Sequence, residues 1–102
     1  MIYNKLVRDK IPQIIEANGQ KPVIRILDDR EYIACLERKL DEEVREFHDD
    51  RTVEELADIL EVVYALTEAS GYTREQLTQI CEQKRDARGG FADKIFLISN
   101  DG

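Results

Sequence analysis

The amino-acid sequence predicts a mainly α protein, with three to four helices in a bundle and two short strands. Apolar residues recur at spacings of three and four through long segments, which is the period of an amphipathic helix. Two short segments at about 22–27 and 94–98 are rich in β-branched or aromatic residues, predict strands, and are natural partners for each other. The length of 102 residues predicts a single domain, 1–102.

Capping residues and helix breakers set the predicted helix boundaries. Pro12 is tolerated in the first turn of a short helix, and Asp28 belongs to the residue types that cap helix amino termini. Gly71 ends one long helix, and Thr73 with Gln76 matches the capping box that opens the next. The predicted helices cover 11–17, about 30–47, about 53–69 and about 73–87.

Two of these helices carry the carboxylates on which the functional prediction depends. Glu43 and Glu46 lie three residues apart on one helix, and Glu55 and Asp58 repeat that spacing on the next. Residues three apart are neighbours on a helix surface, and Glu43 and Glu55 fall among apolar residues. If the two helices pack antiparallel, the four carboxylates face one another. Such a cluster repels itself, and a divalent cation is the usual compensation.

Each of these acids also has an ordinary structural interpretation. Glu55 with Thr52 fits a capping box, in which the glutamate only closes a helix start. The remaining glutamates of the two helices form a solvated face in this interpretation, as most surface carboxylates do. These residues are Glu42, Glu46, Glu54 and Glu61.

Basic residues near both ends of the chain are candidates for binding phosphate. Lys5 and Arg8 form either a cationic arm near the acidic cluster or an ordinary solvated segment. Lys84 and Arg88 continue the apolar stripe of the last helix, where they either hold phosphate groups or favour the helix dipole. The two glycines that follow permit a helix C-cap or a close approach of the backbone to a ligand.

The carboxylates are hard oxygen ligands, so the cluster suits Mg²⁺, with Mn²⁺ as the alternative. Mg²⁺ shares its coordination positions with substrate phosphates, which indicates phosphate chemistry. In such a reaction Glu42 or Glu46 accepts the proton of the attacking water. The single histidine, His48, is interpreted as a surface turn residue and not as a ligand.

Composition argues against several other classes of protein. The formal net charge of −7 argues against a binder of nucleic acid polymers, and no apolar segment approaches membrane-spanning length. Cys35 and Cys81 have helical apolar spacing and are interpreted as reduced core residues. Because Met1 leads directly into charged residues with no signal peptide, we expect a cytoplasmic protein.

Four motifs occur in a specific order along the chain. An EExxE segment at 42–46 precedes an ExxD segment at 55–58. The chain opens with NKLVRDKIP at 4–12, and its last helix leads from Lys84 to the sequence RGGF at 88–91. In this order the motifs resemble the all-α nucleoside triphosphate (NTP) pyrophosphohydrolases, which include MazG and phosphoribosyl-ATP pyrophosphohydrolase. The resemblance extends from about residue 3 to residue 98 and is strongest to the small phosphoribosyl-ATP-pyrophosphohydrolase-like proteins.

The resemblance implies an all-α NTP-pyrophosphatase-like bundle that hydrolyses its substrate between the α and β phosphates. The products are a nucleoside monophosphate and pyrophosphate, the cofactor is Mg²⁺, and the role is removal of aberrant nucleotides. The resemblance also implies a homodimer or homotetramer whose sites are completed by neighbouring chains. The metal ligands that it implies are Glu43, Glu46, Glu55 and Asp58.

Three function classes therefore compete. The leading hypothesis is a Mg²⁺-dependent NTP pyrophosphohydrolase. The second is a non-catalytic helical oligomer that binds nucleotide or metal. The third is an acidic helical interaction protein with solvated carboxylates, whose melting temperature Mg²⁺ leaves unchanged.

Overall fold

The computed structural model describes residues 2–101, and within that range the chain forms four helices. In chain order they are α1 (Ile11–Ala17), α2 (Asp29–Asp50), α3 (Val53–Ala69) and α4 (Arg74–Arg88). The mainly α class predicted from the sequence is confirmed. No helix in residues 2–101 has both the length and the apolar character that crossing a membrane requires.

Side chains cap the helices where the sequence predicts them. The Glu31 amide donates a hydrogen bond of 2.8 Å to Asp28 at the start of α2. At the start of α4 the Gln76 amide donates to Thr73 Oγ1 at 3.1 Å, and the Thr73 amide donates to Gln76 Oε1 at 2.9 Å. These bonds satisfy backbone amides that lack a partner within the helix, and they fix where each helix begins.

The carboxyl end of α2 lies one turn beyond its predicted position. The sequence predicts a polar turn over 48–51, but the helix continues to Asp50, and Arg51 closes it in the left-handed conformation with φ of 55°. Only Arg51 and Thr52 then connect α2 to α3. This short link makes α2 and α3 a helical hairpin.

The α2–α3 hairpin contains the core. Leu36 on α2 and Val62 on α3 are the buried hydrophobic residues of the described chain, and Glu43 is buried with them. Helix α4 contacts α3 but not α2. Its apolar stripe is therefore largely uncovered: Ile80 is 46% exposed and Cys81 is exposed. The prediction that Cys81 is a core residue is wrong because no helix other than α3 contacts α4 within residues 2–101.

Arg74 attaches the start of α4 to α3. Its Nε lies 3.3 Å from a Glu68 carboxylate oxygen, and its Nη2 lies 3.7 Å from a Glu61 oxygen. The guanidinium also stacks 4.4 Å from the centre of the Tyr64 ring. These partners lie on the exposed edge of α3, so the attachment holds the amino end of α4 while the rest of α4 extends away.

The two predicted strands are not present in the described chain. Segments 22–27 and 94–98 have no strand pairing. Val23, Ile24 and Ile26 are 61–95% exposed, and the four side chains of 95–98 are 77–89% exposed. A strand needs a neighbour for its amides and carbonyls, and within one chain these two segments do not pair. The prediction of two short strands is therefore wrong for the single chain.

The chain is elongated. Its radius of gyration is 18.2 Å and its principal extents are 63 × 32 × 22 Å. A compact domain of about 100 residues has a radius of gyration of about 13 Å. The difference arises because, in the described part of the chain, α4 contacts only α3 and α1 contacts no other helix.

Candidate metal centre

Three carboxylates of the α2–α3 hairpin converge at one end. Glu43 of α2 and Glu55 and Asp58 of α3 each place a carboxylate oxygen so that the three oxygens lie within 4.8 Å of one another. Glu43 is about two turns from the end of α2, and Glu55 is in the first turn of α3. The two-residue link therefore brings these positions to the same end of the hairpin.

Glu43 is the buried member of the cluster. It is 7% exposed, and its Oε2 has no hydrogen-bond partner in the described part of the chain. Its other oxygen lies 3.5 Å from Lys39 Nζ. Burial raises the pKa of Glu43, the neighbouring carboxylates Glu46 and Asp58 raise this pKa further, and Lys39 opposes the shift. A buried carboxylate oxygen with no partner is costly unless something binds it.

Glu55 also has a buried carboxylate oxygen without a hydrogen-bond partner among residues 2–101. The Glu55 amide donates to Thr52 Oγ1 at 3.3 Å, so the Thr52 cap forms. Within residues 2–101 the Thr52 amide does not donate in return to the Glu55 carboxylate. At the start of α4, by contrast, the Thr73 amide does donate to the Gln76 side chain. The Glu55 Oε2 atom is instead buried without a partner. The capping-box interpretation therefore accounts for the backbone of Glu55 but not for its side chain.

The pKa of Glu55 is also raised. Burial is the largest cause, and the negative charges of Asp50, Asp58 and Glu43 act in the same direction. The raised pKa values of Glu43 and Glu55 have a common physical meaning. Each carboxylate is ionised at an energetic cost that a cation between them would offset.

The amino-terminal segment lies against this cluster. Arg8 Nη2 donates to Asp58 Oδ1 at 2.6 Å, and Lys5 Nζ lies 4.0 Å from Glu42 Oε1. The structure thus places both residues of the predicted cationic arm beside the acids. Because Arg8 neutralises Asp58, a metal ion and Arg8 compete for the same carboxylate.

The remaining acidic candidates border the cluster. Glu46 lies outside the set of three converging oxygens, but its carboxyl group is close enough to Glu43 to raise the pKa of Glu43. Glu42 lies between two ammonium groups, with Lys5 and Lys39 each 4.0 Å from it. Both residues are therefore adjacent to the three-carboxylate cluster without being members of it.

The structure does not bring the carboxyl-terminal basic residues to this cluster. Lys84 and Arg88 are exposed on α4 and form no ion pair within residues 2–101. Helix α4 does not contact α2. In a single chain these two side chains therefore stay away from Glu43.

Lys39 and Asp50 act on the cluster but are not assigned a role from the sequence. Lys39 lies four residues before Glu43, a spacing that places two side chains together on a helix. Its ion pair with Glu43 could therefore be predicted from the sequence. Asp50 influences Glu55 only because α2 is longer than predicted.

A groove of about 400 Å³ lies beside the cluster, between the amino-terminal segment and α2. It is lined by Asn4, Lys5, Leu6, Cys35, Arg38, Lys39 and Glu42.

The donor set fits a hard divalent cation. Three oxygens within 4.8 Å of one another leave an ion placed equidistant between them at most about 2.8 Å from each, and Mg²⁺ binds oxygen at about 2.0–2.1 Å. Closing that gap requires each oxygen to move by less than an ångström, which side-chain rotation supplies. The two buried oxygens without partners, on Glu43 and Glu55, are the observation that indicates a ligand.

Comparison with known proteins identifies one relative. An uncharacterized protein of Mycolicibacterium smegmatis (strain ATCC 700084 / mc(2)155) is 62% identical over 42 residues. This match covers 41% of the present chain and 43% of the relative, so the chain matches less than half the length of this curated protein. No family model and no solved structure matches the chain.

Proposed function

We propose that this chain is a Mg²⁺-dependent nucleoside triphosphate pyrophosphohydrolase with an all-α NTP-pyrophosphatase-like bundle. It cleaves the bond between the α and β phosphates and acts in the cytoplasm to remove aberrant nucleotides. The observation that carries the proposal is the pair of buried carboxylate oxygens on Glu43 and Glu55, which have no partner within residues 2–101 and belong to a cluster of three converging acids.

The proposed metal ligands are the carboxylates already described. Glu43, Glu55 and Asp58 hold Mg²⁺ or Mn²⁺, and Glu46 supplies a fourth carboxylate beside Glu43. When bound, the cation supplies Lewis acidity, which draws negative charge from the phosphate oxygens. The all-oxygen donor set is the reason to prefer Mg²⁺ or Mn²⁺ over zinc, which favours histidine and cysteine ligands.

The chain's own side chains bind the phosphates and move the proton. Arg8 has a side chain that is 57% exposed, so it is free to turn from Asp58 to a phosphate. Lys5 lies on the same side of the cluster. A water oxygen bonds to phosphorus as the bridging bond between the α and β phosphates breaks, and pyrophosphate leaves. Glu42 or Glu46 accepts the proton of that water.

The proposed phosphate site would be incomplete in one chain. Lys84 and Arg88 lie on α4, which does not contact α2, so a neighbouring chain must bring them to the cluster. We therefore propose a homodimer or homotetramer as the active form. In that assembly Lys84 and Arg88 of one copy would contact the phosphates of a substrate bound beside the carboxylate cluster of another copy.

A panel of NTPs and dNTPs with Mg²⁺ tests the proposal directly. We expect pyrophosphate and a nucleoside monophosphate in equal amounts from at least one substrate. Glu43→Gln should abolish product formation, whereas Glu37→Gln should retain it, because Glu37 is an exposed residue of the same helix. Orthophosphate as the product, or no product from any substrate, would contradict the proposed reaction.

A second candidate is a helical oligomer that binds nucleotide or metal without turnover. The observation that favours it is that α4, which carries Lys84 and Arg88, does not contact α2, so one chain would hold a cation beside an incomplete phosphate site. Calorimetry distinguishes the two functions. The binding protein retains nucleotide affinity in Glu43→Gln and forms no product in either form.

A further inference from the structure

The chain exposes more surface than a stable monomer of its size. Its accessible surface is 9395 Å², whereas a compact monomer of 11.9 kDa exposes about 5,900 Å². The excess of about 3,500 Å² is roughly four times the area of about 800 Å² that each partner contributes to a standard protein interface. An excess of this size is enough for an obligate interface.

Much of the exposed apolar surface lies in two short segments. In segment 22–27, Val23 is 95% exposed and Ile26 is 87% exposed. In segment 94–98, four consecutive apolar side chains at 95–98 are 77–89% exposed. Contiguous apolar surface of this kind is rare on a monomer and marks a surface that another chain covers.

The backbone of both segments also lacks partners among residues 2–101, apart from the Lys94 amide, which donates to the Phe91 carbonyl at 3.2 Å. Neither segment has strand pairing, although both are rich in the β-branched or aromatic residues that strands favour. Arg25 joins segment 22–27 to α2, since it donates to both carboxylate oxygens of Glu31 at 2.8 and 3.2 Å. The segment thus lies beside the hairpin, with unpaired backbone groups that can accept a strand.

We propose that segment 94–98 of one copy forms a β-pair with segment 22–27 of a second copy. A two-fold axis makes the exchange reciprocal, so that both unpaired segments of both chains gain a partner at once. A different protein would have to supply two complementary strands to achieve the same result. The pairing also explains why the sequence predicts two strands that the single chain does not form. This inference names a contact surface and does not depend on pyrophosphohydrolase activity.

Sedimentation of the full chain with a matched pair of variants tests the interface. We expect the unmodified chain to sediment as a dimer or larger assembly at micromolar concentration. Leu97→Glu should raise the dissociation constant at least about tenfold, because it places a charge on a side chain that the pairing buries. Asn100→Glu adds the same charge outside the segment and should leave association unchanged. A monomeric unmodified chain, or equal association of both variants, overturns the proposal.

Disulfide trapping identifies the paired segments without depending on the stability of a charged variant. Two variants are made in a background with Cys35→Ser and Cys81→Ser. The first variant carries Ile24→Cys with Phe96→Cys, and the second carries Ile24→Cys with Leu97→Cys. Cross-strand neighbours lie close enough for a disulfide, and the two variants probe both faces of the segment. A covalent dimer that requires both cysteines supports the exchange. A disulfide within one chain, a dimer from Ile24→Cys alone, or no disulfide in either variant overturns it.

Discussion

Glu43→Gln removes one charge from the carboxylate cluster and keeps the size and shape of the side chain. In the absence of metal we expect this variant to melt at a higher temperature than the unmodified protein. The raised pKa of Glu43 gives the sign, because the folded environment favours the uncharged side chain over the carboxylate. In the presence of Mg²⁺ the order should change, since the variant loses a ligand.

Coulomb's law gives the magnitude. The three oxygens lie within 4.8 Å of one another, so at an effective dielectric constant of about 20 each of the repulsions of Glu43 with Glu55 and Asp58 is at least about 3.5 kcal/mol. The attraction to Lys39 at 3.5 Å is about 4.7 kcal/mol on the same scale. The balance favours glutamine by about 2 kcal/mol before screening. Because Arg8 partly compensates Asp58 while Glu46 adds a further repulsion, we expect a net gain of about 1 kcal/mol, or about 4–8 °C.

Thermal unfolding followed by circular dichroism is the assay. Each protein is melted in 10 mM MgCl₂ and in NaCl of equal ionic strength, with Glu37→Gln as the control for the loss of an exposed charge on the same helix. Free Mg²⁺ at about ten times its dissociation constant stabilises the unmodified protein by about 1.4 kcal/mol, or about 6–11 °C. Glu43→Gln should show little of that gain, and Glu37→Gln should show all of it.

Two results would refute this reasoning. If Glu43→Gln melts below the unmodified protein without metal, the carboxylate is satisfied in a way that the three-acid cluster does not describe. If the variant keeps the full stabilisation by Mg²⁺, the cation binds elsewhere. Unchanged melting of every protein in Mg²⁺ would instead support the acidic interaction protein with solvated carboxylates.

Three further predictions concern pH, the amino-terminal segment and a helix cap. Because the pKa values of Glu43 and Glu55 are raised, the stability that their protonation gives the metal-free fold is present below their ordinary pKa of about 4.3 and is lost as pH rises through the raised values. Mg²⁺ affinity should instead rise with pH, because the cation binds the deprotonated carboxylates. Titrations at pH 5 should therefore show weaker binding than at pH 7.5. Arg8→Gln should tighten Mg²⁺ binding about two- to fivefold, by freeing Asp58 from an exposed ion pair, while weakening nucleotide binding in calorimetry. Thr73→Ala should destabilise α4 by about 1 kcal/mol, measured by urea unfolding, and should leave Mg²⁺ affinity unchanged.

The parts of the fold that neighbouring residues determine could be predicted from the sequence. The bounds of α1 and α3 and the Thr73 cap follow from residues within one turn of each boundary. The end of α2 could not be predicted in this way, because the polar residues that indicate a turn are equally stable in an exposed last turn of a helix. The helix ends instead at Arg51, which adopts the left-handed conformation. Local patterns thus determined three of the four helix ends closely, and the end of α2 alone lies a turn away from its predicted position.

Features that depend on distant contacts could not be predicted in the same way. The sequence places Glu43 and Glu55 on apolar faces, but their unpartnered oxygens appear only once the hairpin is formed. The ion pair of Arg8 with Asp58 joins residues fifty positions apart, and no local pattern specifies it. The strands failed for a related reason. A β-branched segment predicts a strand only if a partner is available, and one chain does not supply that partner.

Direct measurement of Mn²⁺ binding is the most immediate test of the account. Free Mn²⁺ is followed by electron paramagnetic resonance as the protein is titrated, and Mg²⁺ is then added as a competitor. We predict saturable binding that Mg²⁺ displaces, that Glu43→Gln and Glu55→Gln both eliminate, and that Glu37→Gln retains. Absence of saturable binding, or equal binding by all four proteins, would contradict the claim that Glu43 and Glu55, each with a buried carboxylate oxygen, form a site for a divalent cation.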